Sequence, residues 1–214
     1  MARKTKEEAQ ETRSAILEAA VRIFAIKSVA RTSLDDIARE AGVTRGAIYW
    51  HFANKTDLLN TLWDQVLLFY APLAEASENP DEPDPLGKLK ALYLSFFTGM
   101  VEDQRQQQLF RLLFDDSDRS KDTEAIRTRH TQIRLERLQG IQNTLNNAKA
   151  RGQLPPEFDV RLGAISVLVY IYGLIANWIM TPEMFDIRRD VPDLIEGMVQ
   201  MLRSGFTGSE KAGL

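Results

Sequence analysis

Apolar residues along this chain recur at intervals of three and four, and no stretch of useful length alternates with the two-residue period of a strand. Ile16, Leu17, Ala20, Val21 and Phe24 form the first stripe, with charges between them. Three short pieces follow. Thr32 can cap a helix with Asp35 three residues on, and Leu34, Ile37, Ala38 and Ala41 give it one apolar face before Gly42 supplies a sharp turn. Thr44 can cap a second short helix from Arg45 to Trp50, and Asn54 with Asp57 repeats the signal for a longer helix, Leu58 to about Leu73. Residues 72–87 hold Pro72, Pro80, Pro83 and Pro85 among acidic side chains and are expected to form a loop. Helical periodicity resumes at 86–102, 104–115, 122–151, 159–180 and 188–204, and residues 205–214 are expected to be a loose tail. The prediction is an all-α chain with a first domain at 10–70 and a second at 71–214.

The segment from Arg31 to Lys55 has the anatomy of a helix-turn-helix. Leu34, Ile37, Val43, Ile48 and Phe52 can pack the two short helices against the first one, which leaves Arg45, Gly46, Tyr49 and Trp50 to face outward. A recognition helix enters a major groove with its N-terminal residues foremost. Arg45 can reach guanine O6/N7 or a phosphate, Gly46 permits close approach, and Thr44, Tyr49 and His51 can donate to phosphate oxygens. Lys55 opens the next helix, where its ammonium and the exposed N–H groups can both meet the sugar-phosphate backbone. Thr32 and Ser33, at the start of the pair, complete the candidate DNA-facing set. A surface three-helix subdomain whose aromatics only fill a core would show the same spacing. Trp50 fits either role, packing or bracing Tyr49.

Charge changes this picture. A net charge of -3 argues against nucleic acid when the chain is taken whole. Residues 1–55, however, carry 10 Lys/Arg against 7 Asp/Glu, and the remainder carry 17 against 23. The chain is a basic head on an acidic body. Without cysteine there is no disulfide, thiolate metal site or Cys nucleophile, and two histidines, His51 and His130, leave little for a metal centre. There is no Gly-rich phosphate loop and no Ser/His/Asp arrangement, so neither a cofactor nor an enzyme is expected. The charged opening has no apolar signal segment, which predicts a cytoplasmic protein.

Residues 13–63, above all Thr44-Arg-Gly-Ala-Ile-Tyr-Trp-His-Phe52 followed by Asn54-Lys55, resemble the TetR family of transcriptional repressors. The opening Ala2–Arg13 is similar to the AcrR-, TtgR- and MtrR-like branch, which controls multidrug efflux pumps. Asp84-Pro-Leu-Gly87, Arg151-Gly-Gln-Leu-Pro155 and Gly173-Leu-Ile-Ala-Asn-Trp178 extend the likeness into the second half. The resemblance implies a homodimer, a double-stranded operator overlapping the target promoter and a drug-sized small-molecule inducer. The chain departs from that branch at Phe114-Asp-Asp-Ser-Asp-Arg-Ser120, where several members carry a His or Cys-containing stretch, so pocket chemistry does not carry over. A regulator of the same fold controlling a non-efflux gene, or an activator, is the alternative.

Leu162–Pro182 contains no charged residue, and its length admits a membrane span or a buried central helix. Gly163, Ser166, Gly173 and Asn177 within it, with no Lys/Arg cluster at its C-terminal end, favour burial and no membrane partner. Such a helix needs two covers. Ile165, Leu168, Tyr172 and Ile175 are assigned to a cavity; Val167, Tyr170, Leu174 and Trp178 are assigned to a partner subunit, with Leu194, Met198, Met201 and Leu202. A ligand pocket is expected from Val66, Tyr70, Leu92, Ser95, Phe96, Phe110, Leu113, Phe114, Ile141, Leu168 and Tyr172, because Phe and similar apolar groups suit ligands of varied shape. For any single one of these residues, plain helical core is the simpler role. Asp115 and Asp116 can attract cationic compounds or simply solvate a helix end.

Overall fold

A computed structural model describes residues 2–114 and 121–205. The regular structure among them is helical throughout: α1 (Ala2–Lys27), α2 (Leu34–Glu40), α3 (Arg45–His51), α4 (Lys55–Glu78), α5 (Pro85–Glu102), α6 (Gln104–Phe114), α7 (Lys121–Ala150), α8 (Val160–Met180) and α9 (Ile187–Ser204). The chain forms two compact units. One takes residues 1–67 and 103–131; the other takes 68–102 and 132–214. The units therefore interleave along the sequence, whereas the helical pattern predicts a single division after residue 70. Helices α4 and α7 each contribute residues to both.

In the first unit α1 packs against α2 and α6, and α2 against α3. Ile16, Leu17, Ile37, Ile48, Phe52 and Leu58 are fully buried there. The turn between α1 and α2 holds Ser28 at φ 65, a left-handed conformation that costs an L-residue energy. Its N–H donates to the Phe24 carbonyl at 3.0 Å, which ends α1.

In the second unit α5 lies along α9, with α8 touching α9. Leu86, Phe97, Leu145, Phe158, Ile195 and Leu202 are buried. Gln153 joins distant elements: its Oε1 accepts from the Leu86 N–H at 3.1 Å, and its Nε2 donates to Asp84 Oδ1 at 2.6 Å. Asp84 Oδ1 also accepts from the Gly87 N–H at 2.9 Å, and a Cβ at Gly87 would collide with that carboxylate. Gln153 is placed by a left-handed Gly152 (φ 72) and by its own N–H on the Ala148 carbonyl at 2.9 Å, which together close α7.

Two expectations are corrected here. Helix α4 does not stop near Leu73; it passes through Pro72 and runs to Glu78. Proline removes the N–H that would pair with the Leu68 carbonyl. Leu68 and Phe69 are exposed, so water can serve that carbonyl. The far end of the helix is fixed to α7: Asn143 Nδ2 donates to Glu78 Oε2 at 3.1 Å and Asn147 Nδ2 to the Glu78 carbonyl at 2.9 Å. A side chain at Gly140 would strike the Glu78 carboxylate.

The faces of α8 and α9 are also reassigned. Val167, Trp178, Met198 and Leu202 are buried within the chain and cannot cover a partner. Leu162, Val169 and Met180 are exposed instead, with Leu194 and Met201 half-buried on α9. Helix α8 is long and apolar enough to cross a membrane, and only 33% of its most apolar window is buried inside the chain. Tyr170, expected to face a partner, donates its hydroxyl to the Leu194 carbonyl at 2.9 Å.

Candidate nucleic-acid interface

Helix α2 starts one residue later than its capping signal predicts. Ser33, not Thr32, is the N-cap: its Oγ accepts from the Asp36 N–H at 3.1 Å while Asp36 Oδ2 accepts from the Ser33 N–H at 3.1 Å. The Ser33 hydroxyl also donates to Asp36 Oδ2 at 2.7 Å. These bonds hold the Asp36 carboxyl down at about 2, with the Ser33 hydroxyl the largest cause. Thr32 is buried and donates its hydroxyl to the Ser28 carbonyl at 2.7 Å, so it cannot serve as a phosphate donor.

The end of α2 is equally defined. The Gly42 N–H reaches the Arg39 carbonyl at 3.2 Å and the Val43 N–H reaches the Ala38 carbonyl at 3.0 Å. Gly42 has φ 68 between them, which explains the glycine. Two residues later Thr44 caps α3, its Oγ1 accepting from the Ala47 N–H at 3.1 Å. The relation of the two helices is thus set by local hydrogen bonds, and the buried Ile37 and Ile48 fix which face of each turns inward.

The opposite face of α3 carries Arg45, Gly46, Tyr49 and Trp50, all exposed. Trp50 is 73% exposed, which decides against a packing role. Its ring meets His51 edge-on at 4.5 Å, so it braces His51 rather than Tyr49. Burial lowers the His51 pKa, with the Arg13 charge adding to the effect, so the imidazole is neutral near pH 7. Arg45 pairs with Asp35 at 3.1 Å and lies over the Tyr49 ring at 5.5 Å. Above Gly46 a Cβ would meet nothing closer than Thr44 Oγ1 at 3.9 Å, so this part of the surface is open to a close approach.

Lys55 departs from its expected role in this conformation. Its Nζ donates to the Val29 carbonyl at 2.9 Å and the Thr32 carbonyl at 3.0 Å, tying the α1–α2 turn to the start of α4. Sequence spacing could not show this, because the acceptors are backbone carbonyls more than twenty residues away. The contacts of Arg13 are equally long-range and leave no local pattern. It stacks over Phe52 at 5.2 Å and its Nη2 donates to Thr61 Oγ1 at 3.2 Å.

This geometry meets known proteins. The profile described as "Bacterial regulatory proteins, tetR family" matches residues 16–62, and that of the "MAATS-type transcriptional repressor, C-terminal region" matches residues 84–204. The chain belongs to the TetR family of transcriptional regulators. The transcriptional regulator TtgR of Pseudomonas putida is 44% identical over 203 residues, 95% of this chain and 97% of its own. NalD, the secondary repressor of the MexAB-OprM multidrug efflux pump in Pseudomonas aeruginosa, is 30% identical in its crystal structure, with a TM-score of 0.81 and coverage of 94% of this chain and all of that one. SmeT, the repressor of the Stenotrophomonas maltophilia efflux pump SmeDEF, is 28% identical in a complex with triclosan, with a TM-score of 0.84 and coverage of 95% and 99%. The helix-turn-helix of this TetR-family member is therefore its DNA-binding element.

The residues expected to line a pocket distribute as follows. Val66 and Phe110 belong to the first unit and are buried there. The side chains of Leu113 and Phe114, and residues Asp115 and Asp116, lie outside the described residues. In the second unit Tyr70, Leu92 and Ile141 are buried, while Ser95, Phe96, Leu168 and Tyr172 keep part of their surface. Tyr70 and Phe96 meet at 5.3 Å, and Phe96 meets Phe97 edge-on at 5.6 Å. Arg134 lies 4.5 Å over the Tyr172 ring. Burial raises the Tyr172 pKa, against the opposing charges of Arg134 and Arg137. The phenol therefore stays protonated and able to donate.

Proposed function

We propose that this TetR-family regulator is a cytoplasmic dimeric repressor of a multidrug efflux operon, released from its operator by drug-sized apolar or amphipathic compounds. The observation that carries the DNA-binding half is the exposed face of α3, where Arg45, Tyr49 and Trp50 stand outward on a helix whose ends are both capped. Thr44, Gly46 and His51 flank them. The efflux assignment is supported by NalD and SmeT, both described as repressors of such pumps. The ligand class is supported by the SmeT complex with triclosan and by the aromatic cluster of Tyr70, Phe96 and Phe97 in the second unit.

The exposed Leu162, Val169 and Met180 on α8 supply the apolar face that a second copy would cover. A dimer must present two recognition helices about 34–36 Å apart to meet successive major grooves. Helix α4 contributes to both units, so a ligand that favours one setting of it would alter that spacing. Release is then limited to the ligand's differential affinity for the two settings. The test has two parts. Selection of a duplex from a randomised pool, followed by footprinting, is expected to yield a palindrome that maps upstream of transporter genes. Titration with triclosan is expected to give binding by calorimetry and operator release by anisotropy. A site upstream of a metabolic operon would replace the efflux assignment, and binding without release would remove the induction mechanism.

A further inference from the structure

Arg45 is held at two points. Its Nη1 lies 3.1 Å from Asp35 Oδ2 across the α2–α3 turn, and its guanidinium carbon lies 5.5 Å from the centre of the Tyr49 ring one turn along α3. The ion pair is surface-exposed, 73% on the arginine and 40% on the aspartate, so it adds little to stability. A carboxylate beside a DNA-binding arginine also works against attraction to any polyanion. Its presence there has to be explained by something other than affinity.

The geometry supplies the explanation. Asp35 Oδ1 is buried and accepts no hydrogen bond among the described residues, so the interaction of the carboxylate is directed to Arg45 through Oδ2. An unrestrained arginine sweeps a wide arc and pairs with whichever phosphate it meets. A guanidinium neutralised at Nη1 and stacked on Tyr49 has less pull on phosphate, and its remaining N–H groups are already oriented. Arginine recognises guanine O6/N7 through a two-pronged contact that depends on such orientation. We propose that Asp35 is a positioning residue that makes Arg45 read a base edge rather than a phosphate, and so sets operator specificity. This rests on the reading of α3 as the recognition helix. Tyr49 serves the same end from below the guanidinium.

The test uses the full chain, a duplex selected by the wild-type protein from a randomised pool, and a scrambled duplex of the same composition. Anisotropy gives both affinities at several salt concentrations, and thermal melts are recorded in parallel. For Asp35→Ala, scrambled DNA is expected to bind more tightly and the operator-to-scrambled ratio to fall about three- to tenfold, the worth of ordering one long side chain in advance. Asp35→Ser is expected to do the same with a side chain suited to a helix start. In an Arg45→Ala background, removing Asp35 is expected to change both affinities by the same factor. If the ratio is unchanged in the single variants, Asp35 only repels DNA in general and the proposal fails. It fails equally if the ratio drops as far without Arg45. If the wild-type protein enriches no sequence at all, the DNA-binding reading itself fails, and that outcome is distinct from the other two.

Discussion

Helices α3 and α8 both leave large apolar groups in solvent, and the difference between them lies in what surrounds those groups. On α3, Tyr49 and Trp50 sit beside Arg45, with an open glycine between arginine and aromatics. On α8, Leu162, Val169 and Met180 stand along a helix that is uncharged from Leu162 to its end. The first pattern suits a polar, charged macromolecule that must come close and be held by directional bonds. The second suits an apolar surface of the same kind and nothing charged. Exposure alone does not identify a binding surface; the neighbours of the exposed group do.

The largest expected effect comes from placing a charge in the second pattern. Val169→Asp should weaken self-association at least a hundredfold, about 3 kcal/mol, and light scattering should move from twice the chain mass toward once. An unchanged mass would show that α8 meets something other than a second copy. The converse experiment is Tyr49→Ala, which should cost about 1–3 kcal/mol of operator affinity while leaving self-association intact. Loss of both properties together would erase the distinction between the two surfaces.

A smaller effect tests the backbone beneath the first pattern. Ser28→Gly relieves a left-handed conformation and should stabilise the chain by about 1 kcal/mol in chemical denaturation, since glycine bears no Cβ penalty there. Any gain is limited by the larger chain entropy that glycine brings to the unfolded state, and a net loss would show that the serine side chain matters more than its φ. The smallest effect is electrostatic. The Asp36 carboxyl is depressed from 3.8 to about 2, so its contribution is present above pH 4 and fades as pH falls toward 2. The stability difference between wild type and Asp36→Asn should shrink over that window. A difference that persists unchanged at pH 2 would remove the cap as its source.

Much of this was legible in the residues. The capped pieces around Gly42 and Thr44 show because their hydrogen bonds run between residues three to five apart, within reach of a sequence pattern. The one-residue shift from Thr32 to Ser33 arose because both can cap and both have an aspartate three residues on; tertiary burial of Thr32 decides between them. Proline predicts a break at 72, and the bonds that fix the end of α4 at Glu78 come from Asn143 and Asn147 on α7, beyond the reach of a local pattern. The outward face of α8 was not legible at all. A helix apolar on every side has no polar stripe to mark solvent, so Val167 and Val169 look alike in sequence and differ only in what packs on them.

The distance that Gln153 spans has a kinetic side. The N–H of Leu86 is satisfied by a side chain 67 positions downstream, whereas the caps of α2 and α3 come from three residues away. Closing a loop of that length costs on the order of 4 kcal/mol in chain entropy before any contact repays it. During synthesis, then, the helix-turn-helix can form its own ends as soon as it emerges. Helix α5 has a local cap in Asp84 for its Gly87 N–H, but its Leu86 N–H stays open to water until the end of α7 has been made. The nascent chain can therefore set the ends of α2 and α3 early, while the packing of α1 on α6 and the closure of α5 both wait for residues made later.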